Sequence, residues 1–294
     1  MAHRNPNAKP LSKPQTGLER RGNKDAAKQA RENLTDTGKL IVENLIFTKS
    51  EDSVLKNNGE LIVQECTFAD NSATYGAAIY IDSKNINTEV TNCTFNKNKA
   101  SVYGGSIFSN KGNDVTITLS TFSNNNEGKM KGSSIASTGN IYISQNMFYN
   151  NIGACEIYII NGQLEAENNY FDGNIIALEN KGIAICNLNY WGYNDINNVT
   201  INGDGTTTID SWLISNYTID YTQPVGKPLQ KIITTAINQY KNKTQPGENK
   251  YKDVIGNVPI MINDDEEELN KPITRTDENI TIVIGQQVIE VRGN

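Results

Sequence analysis

Apolar and polar residues alternate in short bursts along the first two thirds of the chain, and each burst runs into an aromatic residue. The pairs Leu40/Val42, Leu61/Val63, Val115/Ile117, Ile141/Ile143 and Leu164/Ala166 lie seven and five residues ahead of Phe47, Phe68, Phe122, Phe148 and Phe171. Ahead of Phe95 only Val90 is left of the pair, and Trp191 closes the series. A period of two marks a strand with one buried face. The seven aromatics are spaced by 21, 27, 27, 26, 23 and 20 residues. A unit this short cannot bury an apolar face alone, so successive copies must stack.

A further apolar run follows in the middle copies: GAAIYI at 76–81, GGSIF at 104–108, GSSIA at 132–136 and CEIYII at 155–160. Each copy therefore supplies about three short strands. Coils of that kind pile into a parallel β-helix, and the aromatic register predicts about seven coils with Phe47, Phe68, Phe95, Phe122, Phe148, Phe171 and Trp191 as an internal ladder. Three residues after the aromatic stands Asn, at Asn71, Asn98, Asn125, Asn151, Asn174 and Asn194, with Ser50 in the first copy. Asn tolerates a left-handed corner and can hydrogen-bond along the stack, so this column reads as structural rather than as a set of sugar ligands. Leucine-rich repeats need a Leu-x-x-Leu-x-Leu pattern that is absent, and a propeller blade needs about 40 residues.

Past Trp191 the register fades. INGDGTTTIDSWLISNYTIDY at 201–221 still alternates and predicts a last irregular coil that caps the stack. The expected division is a disordered basic leader over 1–39, a parallel β-helix over 40–215, a linker with a first strand (KIITTAINQYK, or a short helix) over 216–250, and a β-sandwich-like fragment over 251–294.

Composition agrees with an all-β reading, since 42 of the 294 residues are Asn, a poor helix former that favours turns. Residues 1–39 hold nine Lys or Arg against four Asp or Glu, which is +5, so with a net charge of −6 the remainder carries −11. An acidic body excludes nucleic acid as the expected partner. There is no run of 18 apolar residues, so no membrane insertion is expected of this chain, and neither a signal-peptide core nor an anchor is visible in it.

The search for chemistry returns little. The only histidine is His3, and no Arg occurs between residues 32 and 274. A lyase using Arg as base, and hydrolases using Gly-His-Gly and Arg-Ile-Lys signatures, therefore lack their parts. Asp70, Asp82, Asp114 and Asp172 fall at different offsets and form no column of the paired carboxylates that glycoside hydrolysis requires. Cys66, Cys93, Cys155 and Cys186 show no metal-ligand spacing and read as buried thiols. The acidic run Asp264 to Glu268 reads as a solvated loop, and six Asn-x-Ser/Thr triplets are what chance gives at this Asn content. No catalytic residue, metal or cofactor is expected.

The recurrent Thr-Phe-x-x-Asn followed by Gly-Gly-x-Ile, as at 94–107, and the closing Asn189-Tyr190-Trp191-Gly192 resemble the adhesin-like surface proteins of methanogenic archaea. Similar Gly-Gly-Ala-Ile repeats occur in chlamydial polymorphic outer-membrane proteins. The likeness covers 40–215. It implies a right-handed parallel β-helix of the pectin lyase-like kind followed by a small immunoglobulin-like β module, whole or incomplete. It also implies an extracellular or cell-surface location and a non-enzymatic role in binding carbohydrate or a partner cell. Exposed aromatics would do the binding, and Tyr75 and Tyr103, in corresponding loops ahead of Gly, are the candidates. A polysaccharide lyase or glycoside hydrolase on the same scaffold, and a phage tailspike-like fibre, are the alternatives.

Overall fold

The computed structural model describes residues 38–292, apart from 83, 85, 127–130, 173–175, 179–181, 246, 252–257 and 278; of 176–178 it gives the backbone alone. The expected leader and Asn174 thus lie outside the described residues, except for Gly38 and Lys39.

Three parallel sheets form the faces of a solenoid. The first runs from Lys39–Glu43 to Thr206–Thr208 in eight strands, the second from Ile46–Thr48 to Tyr170–Phe171 in six, and the third from Leu55–Asn57 to Ile201–Gly203 in seven along one path. Like positions pair rung to rung, as in Val42↔Val63↔Val90↔Ile117↔Ile143↔Ala166↔Cys186 on the first face. Where the apolar pair is broken ahead of Phe95, the buried Thr88 fills the column.

The aromatic column stands on the second face. Ring centroids of Phe47, Phe68, Phe95, Phe122, Phe148, Phe171 and Trp191 follow one another at 5.1, 5.1, 4.6, 4.8, 4.8 and 5.0 Å, with ring planes nearly parallel from Phe68 onward. All are buried. Each contributes about 1.5–3 kcal/mol by leaving water.

The Asn column runs beside it. Asn98 Nδ2 donates to Asn125 Oδ1 (3.2 Å) and to the Phe68 carbonyl (2.9 Å), while its Oδ1 accepts from Asn71 Nδ2 (2.9 Å) and from the Asn71 amide (3.3 Å). Asn125 repeats the pattern toward Asn151. Every hydrogen-bonding position of a buried amide is thereby used, which is what makes its burial tolerable. The left-handed backbone falls elsewhere than expected: it sits one residue earlier, at Lys49, Asp70, Lys97, Asn124 and Asn150, with φ of 54° to 57°. The column keeps Asn for its side chain, not for its φ. Asn194 leaves the column altogether and holds Ser215, donating to the Ser215 carbonyl (2.8 Å) and accepting from its amide (2.7 Å).

A second amide ladder lines the corner between the first two faces. Asn146 Nδ2 donates to Asn169 Oδ1 (3.0 Å) and Asn169 Nδ2 to Asn189 Oδ1 (2.9 Å). Toward the amino terminus the same column continues as Ser120, Cys93 and Cys66, with the Cys93 amide donating to Ser120 Oγ (3.1 Å) and the Cys66 amide to Cys93 Sγ (3.4 Å). All four cysteines are buried thiols outside any disulfide, and burial pushes the Cys186 thiol up to about 12, so it stays protonated and inert.

Residues 216–250 are not a linker. Ser211–Thr222 begins as a rung over Asn189 and Tyr190, closes the core with Trp212, and then pairs antiparallel with Gln230–Asn242 as a long hairpin. Ile273–Arg275 of the last segment adds to this hairpin, and the rest of that segment forms a second antiparallel sheet through Pro259–Ile262, Asp265–Glu268, Ile280–Ile284 and Gln287–Val291. The two sheets share one apolar core, built around Ile233, Ile260, Ile282 and Ile284, that also takes in Tyr170 and Tyr190 of the solenoid. Segment 251–294 therefore does not stand apart from the hairpin, and its pairing does not identify an immunoglobulin-like arrangement. The acidic run is an edge strand rather than a loop, and Arg275 bonds Asp265 (3.0 Å) and Glu267 (2.8 Å) there.

Candidate functional site

Outward positions of the third face line up as Lys56↔Tyr80↔Phe108↔Ala136↔Tyr158. Side chains of one parity on a strand share a face, so the Tyr80 and Phe108 rings, on adjacent rungs, meet on the solvent side instead of the core. Tyr75 and Tyr103 reach the same patch from the strands Ser72–Tyr75 and Lys99–Tyr103, which pair with each other. The chain must then turn sharply into the third face. Gly76 and Gly104 make that turn at φ of 44° and 63°, where a Cβ would lie 2.2 and 2.1 Å from the Ile79 and Ile107 carbonyl oxygens.

The result is a cluster of five rings. Phe108 is its hub, 5.3 Å from Tyr75, 5.8 Å from Tyr80 and 5.8 Å from Tyr103, and Tyr103 bridges on to Tyr158 at 5.5 Å. Phe108 and Tyr158 are buried beneath half-buried Tyr75, Tyr80 and Tyr103. Exposed lysines stand at both ends: Lys56 Nζ lies 5.5 Å from the Tyr80 ring centre, and Lys131 Nζ 4.8 Å from that of Tyr158, whose hydroxyl it meets at 3.4 Å. Beside Tyr80, Asp82 is held by Lys111 (3.2 Å) and Asn110 (3.0 Å), and burial pushes the Tyr80 phenol up. Among the two expected binding residues, then, Tyr75 and Tyr103 are brought together at 6.3 Å.

Tyr80, Phe108 and Tyr158 were not singled out from the sequence. Their signal was in each third run, GAAIYI, GGSIF and CEIYII, where an aromatic directly follows an inward-facing Ile.

Behind the cluster lies a carboxyl that the sequence reading passed over. Glu156 is fully buried in the strand Cys155–Ile159, accepts from Ser134 Oγ, and is pushed up to about 8 by loss of solvent, with the nearby Asp172 carboxyl raising it further. Among the described residues its Oε2, like Ser106 Oγ, Ser133 Oγ and Asn126 Nδ2, meets no partner in hydrogen-bonding geometry, although the Ser133 and Asn151 side chains lie near enough to offset part of the rise. Asp172 is raised too, by burial, and accepts from the Asn150 amide at 2.5 Å. The enclosed Glu156 offers no face on which a substrate could lie. Among the described residues no three His, Cys, Asp or Glu side chains gather as metal ligands, and no helix is long and apolar enough to cross a membrane.

A family model described as "Right handed beta helix region" matches residues 29–122. Together with the three-faced parallel stack it defines the class: a right-handed β-helix repeat protein. No curated protein and no solved structure matches the chain.

Proposed function

We propose that this protein is a non-enzymatic binding module of the adhesin-like type, exposed at a cell surface, whose third-face aromatic cluster recognises carbohydrate on a partner surface. The observation that carries the reading is the five-ring shelf on the outside of the solenoid, where packing of the core does not ask for aromatics. Pyranose rings present apolar C–H faces that settle on the negative faces of aromatic side chains, and hydroxyl and amide groups at the rim fix orientation. The shelf is built on paired strands, so its geometry is set before a ligand arrives.

A glycan array probed with the purified chain and with a Tyr75→Ala/Tyr103→Ala double variant tests this. Retained glycans whose signal falls at least tenfold in the double variant support the reading, and equal signal from both proteins removes the shelf from it. The rival, a lyase or hydrolase on this scaffold, has only the proximity of Glu156 and Asp172 in its favour, and release of reducing ends or unsaturated products from an incubated polysaccharide would establish it.

A further inference from the structure

Resting on that reading, we infer that Asp82 and Asn110 form the polar rim of the shelf and take two adjacent free hydroxyls of a pyranose whose apolar face lies on the rings. The two residues stand two positions beyond Tyr80 and Phe108, which pair across adjacent rungs. Backbone bonds carry that pairing past the strand ends: the Asp82 amide donates to the Asn57 carbonyl (3.1 Å), the Asn110 amide to the Ile81 carbonyl (2.8 Å) and the Thr138 amide to the Ser109 carbonyl (2.9 Å). Asp82, Asn110 and Thr138 are half-buried, whereas Ile81, Ser109 and Ser137 just before them are buried, so the alternation keeps the three on the outward side. A polar row therefore runs along the axis beside the row of Tyr80, Phe108 and Ala136, two residues or about 7 Å away.

The rim is fixed before a ligand arrives. Asn110 Nδ2 donates to Asp82 Oδ1 (3.0 Å), Lys111 Nζ meets the same oxygen (3.2 Å) and the Asp82 carbonyl (3.1 Å), and the Lys111 amide donates to Asn110 Oδ1 (2.9 Å). Both contacts with the carboxylate fall on Oδ1, and the Asp82 side chain keeps 31% of its surface open. Burial raises the Tyr80 phenol, and the two rim side chains act on it in opposite senses, Asn110 lowering and Asp82 raising it, which places both at the hydroxyl end of a shelf ring. An ionised carboxylate only accepts, whereas an amide has two N–H groups to give, so the pair suits neighbouring hydroxyls of which one donates to Asp82 and the other accepts from Asn110. The bond to the ionised oxygen is the stronger of the two. An ion pair as exposed as Asp82 with Lys111 contributes little to stability, so the fold itself gains little from a carboxylate at this place.

The test is an array of neutral gluco-, manno- and galacto-configured oligosaccharides together with their deoxy forms, in each of which a single hydroxyl is replaced by hydrogen. It is probed with the full chain and with the Asp82→Asn, Asn110→Ala and Tyr75→Ala/Tyr103→Ala variants, circular dichroism confirming that each is folded. The expected result is that removal of either of two adjacent hydroxyls weakens binding to the full chain about tenfold, the worth of one hydrogen bond. In Asp82→Asn and in Asn110→Ala the penalty for one of those two positions should shrink severalfold, because the hydroxyl has already lost its partner. A penalty that stays unchanged in either variant overturns the assignment of that residue. A variant that binds the parent and deoxy sugars more weakly by the same factor, its penalties intact, also overturns it, since the side chain then only supports the rings. In both cases loss of signal in Tyr75→Ala/Tyr103→Ala leaves the shelf standing. If no arrayed glycan is retained, or the tyrosine variant retains them all, the shelf reading falls and this inference with it.

Discussion

The solenoid gathers aromatic side chains on the outside of two of its faces, and it treats the two groups differently. On the second face the outward column begins with exposed Ile46, continues as Thr67, Thr94 and Thr121, and changes to Met147, Tyr170 and Tyr190 in the later rungs. That change coincides with the arrival of the carboxyl-terminal sheets. Tyr170 and Tyr190 are buried by them, Tyr190 Oη donates to the Ile284 carbonyl (2.7 Å), and the Gln286 amide donates to the Gly192 carbonyl (3.0 Å). On the third face, among the described residues, the cluster draws on that face and on the strands leading into it, and its three tyrosines stay half-buried. The second-face group is covered by the chain itself, whereas the third-face group stays open to solvent, where the proposed ligand would bind.

The comparison is most sharply tested where the interface is already filled. Tyr190→Ala removes a buried ring, its hydrogen bond to Ile284 and its stack on Tyr170 (5.4 Å). Large-to-small changes of this kind cost about 3–5 kcal/mol. Chemical denaturation should show that loss, and limited proteolysis should release the segment after residue 211 before the solenoid is cut. An intact, equally stable protein would mean that the sheets are held by something other than the aromatic column.

A loss of comparable size is expected at the corner that leads from the second face toward the third. Asn125→Ala orphans the Asn98 side-chain and backbone donors and the Phe95 carbonyl, all buried. Each buried partner left unmade costs about 1–3 kcal/mol. A rung common to both faces should fail as a unit, so amide hydrogen exchange is expected to rise in rungs 94–98 and 121–125 together, while the carboxyl-terminal sheets stay protected.

The third face also carries a proton that the second does not. The Glu156 carboxyl is raised from 4.5 to about 8 in the folded chain. A carboxyl raised on folding contributes stability that is complete below its ordinary value and is lost as the pH rises through the folded one. Thermal stability should therefore fall between pH 4.5 and pH 8, by an amount on the order of a few kcal/mol, with raised Asp172 adding in the same direction. Glu156→Gln keeps the neutral shape, so its profile over that window should be flatter and it should equal or exceed the parent protein at pH 8. A parallel decline in both would assign the effect to other groups.

How far the chain could be read in advance follows from what each column demands. The aromatic ladder was legible because one residue type satisfies one geometry in every rung and recurs in phase. The corner ladder of Cys66, Cys93, Ser120, Asn146, Asn169 and Asn189 was not, since thiol, hydroxyl and amide serve the same place and the pattern changes letter while keeping its bonds. Left-handed corners were placed one residue late for a related reason. Lys49, Asp70 and Lys97, one residue ahead of the column, adopt φ of 55° to 57° because in that pose each amide reaches a carbonyl of the next rung, as Asp70 does to Asn96 (3.0 Å). The hairpin from Ser211 to Asn242 escaped because its partner strand lies past two prolines and a glycine that locally read as a linker. Pairing across that turn is a long-range fact that periodicity does not carry.

The smallest effect on stability should accompany the largest effect on binding, and that contrast is what separates the two aromatic groups. Tyr75 and Tyr103 are half-buried, and Phe108 beneath them retains its Tyr80 neighbour at 5.8 Å when they are removed. Partly exposed rings forfeit only a fraction of their burial energy, so Tyr75→Ala/Tyr103→Ala should cost about 1 kcal/mol or less per site. Yet the double variant deletes two of the three rings open to solvent, so a glycan should lose most of its platform. Measured side by side, Tyr190→Ala should be unstable but competent wherever it remains folded, and Tyr75→Ala/Tyr103→Ala stable but unable to bind. If the double variant instead unfolds as readily as Tyr190→Ala, the third-face rings are holding the solenoid together rather than waiting for a ligand, and the two faces are not opposites after all.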